Sequence, residues 1–217
     1  LACRALPPRL PPRAVTVART IRHVDAFTTT PLHGNPAAVV NGEGLSTETM
    51  QRIALNQHLS ETVFLLPPRS PEHHAHIRIF TPGTELPFAG HPTIAASHIL
   101  VSEGRVALPP GAPLRLETGA GVIPVIVSGG DAPLYTMTQA SPQFRAAEID
   151  HATIAASIGL QPEDILRAEH VSTGIFWLIA QVASLDAMMR VQPDMMALMK
   201  IPHGLSIFCI GAGSSDA

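Results

Sequence analysis

The chain has 217 residues, of which 46% are hydrophobic, 14% charged and only 4% aromatic, and its net charge is −3. This length suits one large domain or two small ones with a largely aliphatic core. A mildly acidic chain lacks the basic face that nucleic-acid binding needs. No apolar stretch approaches the roughly 20 residues of a membrane span. We therefore expect a small-molecule substrate, with neither nucleic acid nor membrane as a partner.

The N-terminal segment, residues 1–20, is predicted to be a disordered leader. Residues 1–22 carry five arginines and no acidic residue, as transit peptides do, but four prolines oppose the amphipathic helix that such a peptide forms. The two cysteines, Cys3 and Cys209, do not make a disulfide framework, so a reducing, cytoplasmic location is expected.

The first half of the chain contains strand-like runs around one well-marked surface helix. Strands are predicted at residues 23–28, 37–41, 62–66 and 76–81. The helix begins after Ser46, a favourable N-cap, and Leu45 and Met50 suit the N′ and N4 positions of a hydrophobic staple. Met50, Ile53 and Ala54 form its apolar face.

A second helix is predicted at residues 92–103, with Pro92 at its first position and Gly104 just past its end. Apolar side chains surround most of this helix, which is typical of a buried helix. The sequence therefore indicates an α+β fold in which a sheet of short strands wraps around one central helix.

The second half repeats part of this order. Strands are predicted at 114–118, 122–127, 134–139, 175–182 and 205–210, with a hairpin turn at 128–131, a helix from Asp150 to Gly159 and a methionine-rich helical stretch at 185–200. It contains no counterpart of the 92–103 helix. We expect an N-terminal domain at residues 21–118 and a partial C-terminal domain at 119–217.

Glu61 is the first candidate site residue, because it stands where a strand begins and apolar residues follow it. A carboxylate in such surroundings suits general acid and base catalysis near neutral pH. The alternative is a solvated glutamate at a strand end.

His91 is the second candidate, in the stretch ELPFAGHPT. Its place before Pro92 favours an extended backbone and hence the N-cap position of the central helix. Free N–H groups and the helix dipole make such a position suitable for an anion, and Gly90 lets a ligand approach closely. The alternative is a histidine that only caps a buried helix.

Other site types find little support. His73, His74 and His76 could suggest a metal, but no further ligand follows at a suitable spacing, so no metal is expected. The chain also lacks the glycine-rich phosphate loops and the GxSxG nucleophile motif, which disfavours nucleotide binding and α/β-hydrolase chemistry.

Four segments together resemble one family. They are VDAFTTTPLHGNPAAVV (24–40), LSTETMQRIA (45–54), HLSETVFLLP (58–67) and IRIFTPGTELPFAGHPT (77–93), and they look like the phenazine-biosynthesis PhzF-like proteins. The resemblance implies a diaminopimelate-epimerase-like fold, with two similar domains that each wrap a sheet around a helix. It also implies a cofactor-free isomerase in which the glutamate of the SET motif, Glu61, moves a proton and Gly90 and His91 bind the substrate.

Two features qualify this resemblance. Related racemases use two cysteines as acid and base, but neither cysteine here lies in such a motif, so a glutamate-centred site is expected. The family's later segment resembling SP-x-x-G-x-x-EDP-x-TGSA is not found, so we expect an incomplete second domain and weak or no turnover. The alternative is a non-catalytic fragment or pseudoenzyme that acts as a binding or dimerisation module, and a homodimer is one expected assembly. The methionines at 188, 189, 195, 196 and 199 would then form a contact surface rather than fill a core.

Overall fold

Two β-sheets packed against helices make up the part of the chain that the computed structural model describes, residues 18–130, 132–202 and 204–211. Most of the expected leader lies outside the described residues. Within the described residues, no helix combines the length and the apolar character needed to cross a membrane. The mixed architecture agrees with the predicted α+β class.

The first sheet has eight strands and two associated helices. The strands are β1 (Ile21–Ala26), β2 (Asn35–Asn41), β3 (Glu61–Leu66), β4 (Ala75–Phe80), β5 (Glu85–Leu86), β6 (Leu114–Thr118), β7 (Gly121–Ser128) and β8 (Leu134–Met137), and the helices are α1 (Thr47–Gln57) and α2 (Gly90–Ser102). Strand order is β1-β2-β3-β4-β6-β7-β8, with β5 paired to β4. The β2–β3 and β4–β6 pairs are parallel, so a helix connects the strands of each pair.

Helix α2 lies against the concave side of this sheet and contacts β1, β2, β3, β4 and β8. Its residues Ala95, Ala96 and Leu100 are buried in a cluster with Val63 and Leu114 from the sheet. The predicted burial of this helix is confirmed. Aliphatic and small side chains allow it because they let the strands approach the helix from several directions.

The predicted N-cap of α2 is wrong, whereas the predicted C-terminal end is confirmed. The N-cap is Ala89, in an extended conformation, so His91 lies inside the first turn and its predicted N-cap position is wrong. Packing within the sheet outweighs the bias of a pre-proline residue against helical geometry. At the other end, Gly104 has φ +64° and its N–H donates to the Val101 carbonyl, while the Arg105 N–H donates to the Leu100 carbonyl. This is a Schellman ending, as Gly104 predicts.

Helix α1 covers the opposite side of the sheet. The Ser46 hydroxyl accepts a hydrogen bond from the Thr49 N–H, which confirms the predicted cap. Met50 and Ala54 are buried in a small core where the rings of Phe64 and Phe80 meet edge to face at 5.4 Å. The sheet is therefore covered on both faces where β3 begins, the position of Glu61.

The second sheet has four strands in the order β12-β11-β10-β9. Its elements are β9 (Gln143–Ala146), α3 (His151–Ser157), β10 (Ile165–Ser172), β11 (Phe176–Val182), α4 (Leu185–Met189), α5 (Met195–Leu198) and β12 (Leu205–Phe208). Asp150 caps α3 as predicted, accepting a hydrogen bond from the Thr153 N–H. Ile154, Leu178 and Ala180 are fully buried in the core between α3 and this sheet.

The methionine-rich stretch forms two short helices, α4 and α5, rather than one long helix. Met188 packs partly against the second core, whereas Met189, Met195, Met196 and Met199 are each at least 66% exposed. Core filling is therefore wrong for these four methionines, because α4 and α5 bury only Ala187 fully and turn their longer side chains outward.

The first sheet continues past residue 118, where the domain boundary is expected. Strands β6 and β7 are hydrogen-bonded neighbours from Leu114↔Val125 to Thr118↔Gly121, and β8 extends the same sheet. The sheets therefore separate between β8 and β9 rather than after residue 118. The hairpin turn predicted at 128–131 falls in the connection between the antiparallel strands β7 and β8, and Asp131 lies outside the described residues.

Candidate functional site

Glu61 is the first residue of β3, and a short turn delivers the chain to it from α1. His58 ends α1 in a left-handed conformation, with φ 55°, which lets the backbone reverse direction within three residues. Strand β3 then runs parallel to β2, with Glu61 beside Ala37. This register places Glu61 at the start of an inner strand, close to the N-terminus of α2.

His91 meets Glu61 from the first turn of α2. Its Nε2 atom lies 3.1 Å from the Glu61 Oε2 atom, and the two side chains are 9% and 17% exposed. The atoms are at hydrogen-bond distance but not aligned, and neither has a hydrogen-bond partner among the described residues. Buried polar atoms without a partner are unusual and need an explanation. The structure thus brings together two of the three predicted site residues.

The environment of His91 favours its neutral form. Burial lowers the pKa of the imidazole below 6.5, against the opposing effects of the Glu61 carboxylate and a hydrogen bond to the Pro36 backbone carbonyl. Desolvation penalises a charged ring more than these two interactions compensate. A neutral imidazole near pH 7 can donate or accept a proton in a hydrogen bond with a ligand.

Gly90, the third predicted residue, precedes His91 and faces β8. A Cβ atom at this position would lie 3.7 Å from the Met137 Cε atom and 3.8 Å from the Gln139 Nε2 atom, both ordinary contact distances. The described residues therefore leave room for a larger side chain. Close approach by a ligand is one physical reason for a glycine where packing and φ do not require it.

Sequence reasoning missed Gln139, which lies beside Gly90, and Thr173, which is hydrogen-bonded to Gln139. The Thr173 hydroxyl, in the turn between β10 and β11, donates a 2.5 Å hydrogen bond to Gln139 Oε1, just after β8. In the same turn, a Cβ on Gly174 would lie 3.1 Å from the Phe88 ring. No local pattern marks these contacts, because they join distant segments of the two sheets.

A large groove of about 1420 Å³ lies between β1 and β8, above the face of α2 that carries Ile94 and His98. None of Glu61, Gly90 and His91 lines it. The predicted site residues therefore lie outside this groove, at the N-terminal end of α2.

The histidines at 73 and 74 have separate protein contacts, and His76 is buried within β4. His73 Nδ1 lies 2.7 Å from Glu117 Oε1, and His74 Nδ1 accepts a hydrogen bond from the Arg115 N–H. The Glu117 carboxylate also accepts hydrogen bonds from the backbone N–H groups of Arg69 and Ser70. Burial raises the Glu117 pKa, but these hydrogen bonds lower it by more, so its net pKa lies below 4.5. The cluster holds the proline-rich loop before β4.

Comparison with known proteins gives matches over most of the chain. Residues 24–215 match the family described as phenazine biosynthesis-like protein, PhzC-PhzF. An uncharacterized isomerase of Mesorhizobium japonicum is 39% identical over 178 residues, covering 78% of this chain and 58% of the relative. The trans-2,3-dihydro-3-hydroxyanthranilate isomerase of Pseudomonas aeruginosa is 36% identical over 199 residues, covering 88% of this chain and 66% of the relative.

A solved structure is also similar to the chain. The crystal structure of a PhzF-family phenazine biosynthesis protein from Bacillus anthracis superposes with a TM-score of 0.72 at 33% identity, covering 87% of this chain and 66% of that protein. The chain thus spans about three fifths to two thirds of the length of these proteins.

Proposed function

Because the chain belongs to the phenazine biosynthesis-like PhzC-PhzF family, we propose that it is an isomerase that moves a proton within a small carboxylated metabolite, with Glu61 as general acid and base. Membership confirms the resemblance of the four sequence segments. Relatives that are named isomerases favour catalysis over a non-catalytic binding module.

The observation that carries this proposal is the Glu61–His91 pair. Both side chains are largely buried, their facing atoms lie 3.1 Å apart, and neither atom has a hydrogen-bond partner within the described residues. A substrate polar group between or beside them would satisfy atoms that the described residues leave without a partner. The pair therefore supports a site that gains its hydrogen bonds from a ligand.

The proposed reaction has two proton transfers. The Glu61 carboxylate removes a proton from a substrate carbon next to a π system, and the electron pair spreads over that system. Glu61 then returns the proton to another carbon of the same π system, so the substrate is isomerised and the carboxylate is regenerated. Neither step needs an oxidant, a metal or an organic cofactor.

His91 and Gly90 bind the substrate in this scheme. The Nε2 atom of the neutral imidazole accepts a hydrogen bond from a hydroxyl or amino group of the substrate, and the absence of a side chain at Gly90 allows the ligand to approach the first turn of α2. By similarity to the Pseudomonas aeruginosa enzyme, trans-2,3-dihydro-3-hydroxyanthranilate is the first substrate to test. The cytoplasmic location and the possible homodimer stay predictions.

The test is deuterium incorporation from D₂O into this compound, followed by NMR over long incubation. We expect slow exchange with the wild-type chain and none with Glu61→Gln, which keeps the shape of the side chain but cannot act as a base. Glu43→Gln, at an exposed glutamate outside the site, is the matched control and keeps the wild-type rate. Absence of exchange in the wild type, or equal exchange in Glu61→Gln, contradicts the proposal.

A further inference from the structure

The carboxamide of Gln139 has a fixed orientation beside the candidate site. Its Oε1 atom accepts the 2.5 Å hydrogen bond from the Thr173 hydroxyl. A hydroxyl donor at Oε1 directs the other end of the amide, the NH₂ group, away from Thr173. That NH₂ nitrogen lies 3.8 Å from the position that a Cβ of Gly90 would occupy. Gln139 itself is exposed, so the NH₂ group is accessible to a ligand.

The β10–β11 turn, which contains Thr173, is itself well packed. The Ser172 hydroxyl accepts a 3.0 Å hydrogen bond from the Gly174 N–H, and Ser172 is 7% exposed. A Cβ on Gly174, whose φ is +158°, would meet the Phe88 ring at 3.1 Å. Phe88 stands two residues before Gly90. The β10–β11 turn therefore packs against the segment that leads into α2, and Thr173 is held where its hydroxyl reaches Gln139.

Several hydrogen-bond donors lie close to Gly90. The N–H groups of Gly90 and His91 belong to the first turn of α2, where a helix offers them no acceptor of its own. The Gln139 NH₂ group adds a side-chain donor near the same residue. Beside these donors, His91 Nε2, in a side chain that is 9% exposed, has no hydrogen-bond partner among the described residues and can accept a hydrogen bond from a second polar group of the ligand. A niche with several donors at a helix N-terminus suits a carboxylate, which accepts hydrogen bonds through both oxygens.

We infer that Gln139 is a specificity-determining residue that donates a hydrogen bond to the carboxylate of the substrate, and that Thr173 is a positioning residue that orients the Gln139 amide. This inference rests on the proposed function, because it assigns the group that binds the substrate carboxylate. The inference gives the second sheet an indirect role in substrate recognition. Thr173 orients the Gln139 amide but does not itself touch the substrate.

Anthranilate and its neutral amide, anthranilamide, are suitable probes because they differ only in the group that Gln139 is inferred to bind. Calorimetric titration of the full chain measures both affinities. Gln139→Glu keeps the size of the side chain and an acceptor for Thr173, but replaces the donor NH₂ with a negative oxygen. We expect this variant to bind anthranilate at least about tenfold more weakly than the wild type, with anthranilamide changed much less.

Thr173 is tested by a conservative pair of variants. Thr173→Val removes the hydroxyl and lets the amide rotate, so anthranilate binding weakens severalfold, whereas Thr173→Ser keeps the hydroxyl and restores wild-type affinity. A purely structural role would lower both affinities together and would not be rescued by serine. Thermal melting of each variant checks that the fold is kept.

Equal weakening of both probes in Gln139→Glu, unchanged anthranilate affinity in that variant, or no anthranilate binding by the wild type would each overturn the inference. The proposed function is tested separately, by deuterium exchange in Glu61→Gln. Exchange that depends on Glu61 but is indifferent to Gln139→Glu retains the proposed function and rejects only this recognition role.

Discussion

The imidazole of His91 faces the carboxylate of Glu61 across 3.1 Å without a hydrogen bond between the two. A neutral imidazole has one N–H group, and the Pro36 carbonyl accepts a hydrogen bond from this ring. Because Nε2 is the nitrogen that faces Glu61, we assign the proton to Nδ1 and a lone pair to Nε2. Two acceptor atoms cannot hydrogen-bond to each other, so this assignment accounts for the missing hydrogen bond and leaves both atoms available to a donor group of a ligand.

This assignment predicts the titration of His91. Long-range ¹H–¹⁵N NMR correlations should show a neutral ring protonated on Nδ1 at pH 7, with His91→Asn identifying the signals. Since burial lowers the pKa below 6.5, the unfolded chain binds the proton first as the pH falls. The folded state therefore loses stability relative to His91→Asn below pH 6.5, but not above it. An Nε2-protonated ring, or a pKa above 6.5, contradicts the assignment.

Gly90→Ala should separate binding from folding. The added methyl group meets only ordinary contacts with Met137 and Gln139, so the melting temperature should stay close to that of the wild type. If a ligand approaches the backbone at Gly90, the same methyl group weakens anthranilate binding. Calorimetry and thermal melting measure the two effects. Gly34→Ala is a contrasting control, because its Cβ would lie 2.4 Å from the Ala26 carbonyl oxygen and should cost about 1–3 kcal/mol of stability.

Glu117→Gln should destabilise the chain in a pH-dependent way. The Glu117 pKa is lowered because its carboxylate accepts hydrogen bonds from His73, Arg69 and Ser70, which outweigh the effect of burial. Its stabilising effect is therefore complete above pH 4.5 and is lost as the pH falls through the lower, folded-state pKa. Urea unfolding should show a lower midpoint for the variant at pH 7 and a smaller difference in strong acid. Glu148→Gln, at an exposed glutamate, should change neither midpoint.

The outer face of the second sheet should cause association of the chain. Phe144, Val171 and Trp177 are paired across β9, β10 and β11, and Phe144, Trp177 and Phe208 are 62%, 46% and 44% exposed. Exposed apolar clusters favour self-association. Light scattering should detect assembly with rising concentration, and the double variant Phe144→Thr, Phe208→Thr should reduce it. A Met195→Gln, Met196→Gln variant compares this face with the exposed methionines of α5. A wild-type chain that stays monomeric contradicts the prediction.

Local signals predicted much of the first sheet and its helices. The Ser46 cap, the staple beside it and the apolar circumference of α2 each depend on short-range chemistry, so they could be recognised from sequence alone. Strand β10 could not, because ILRAEHVS contains charged residues and its pairing with β11 includes a register shift near Ile165. Strand β9 is fully exposed and has only four residues, so it carries no burial pattern.

The residues of the candidate site also fall into two groups, those that a sequence motif predicts and those that no motif marks. Glu61 and His91 were found through their motifs, and the structure brings them together. Gln139 and Thr173 were not, because their hydrogen bond depends on how the second sheet approaches β8. The position of His91 within the first turn of α2 could not be predicted either. Tertiary packing decides where a helix begins when its first residues are glycine and a pre-proline histidine.

The enclosed position of α2 has a consequence for the order of folding. The helix joins β5 to β6 and lies inside the curve of the sheet, and β4 pairs with β6 only after the chain has passed through that helix. We therefore expect the β4–β6 pairing and the burial of the helix to form together and slowly, because both depend on contacts that are distant in sequence. Glu61 comes from the sheet and His91 from the helix, so the pair forms only in molecules that have completed this step. Intermediates that contain β2, α1 and β3 alone would carry the Glu61 carboxylate without the residues that are proposed to bind the substrate.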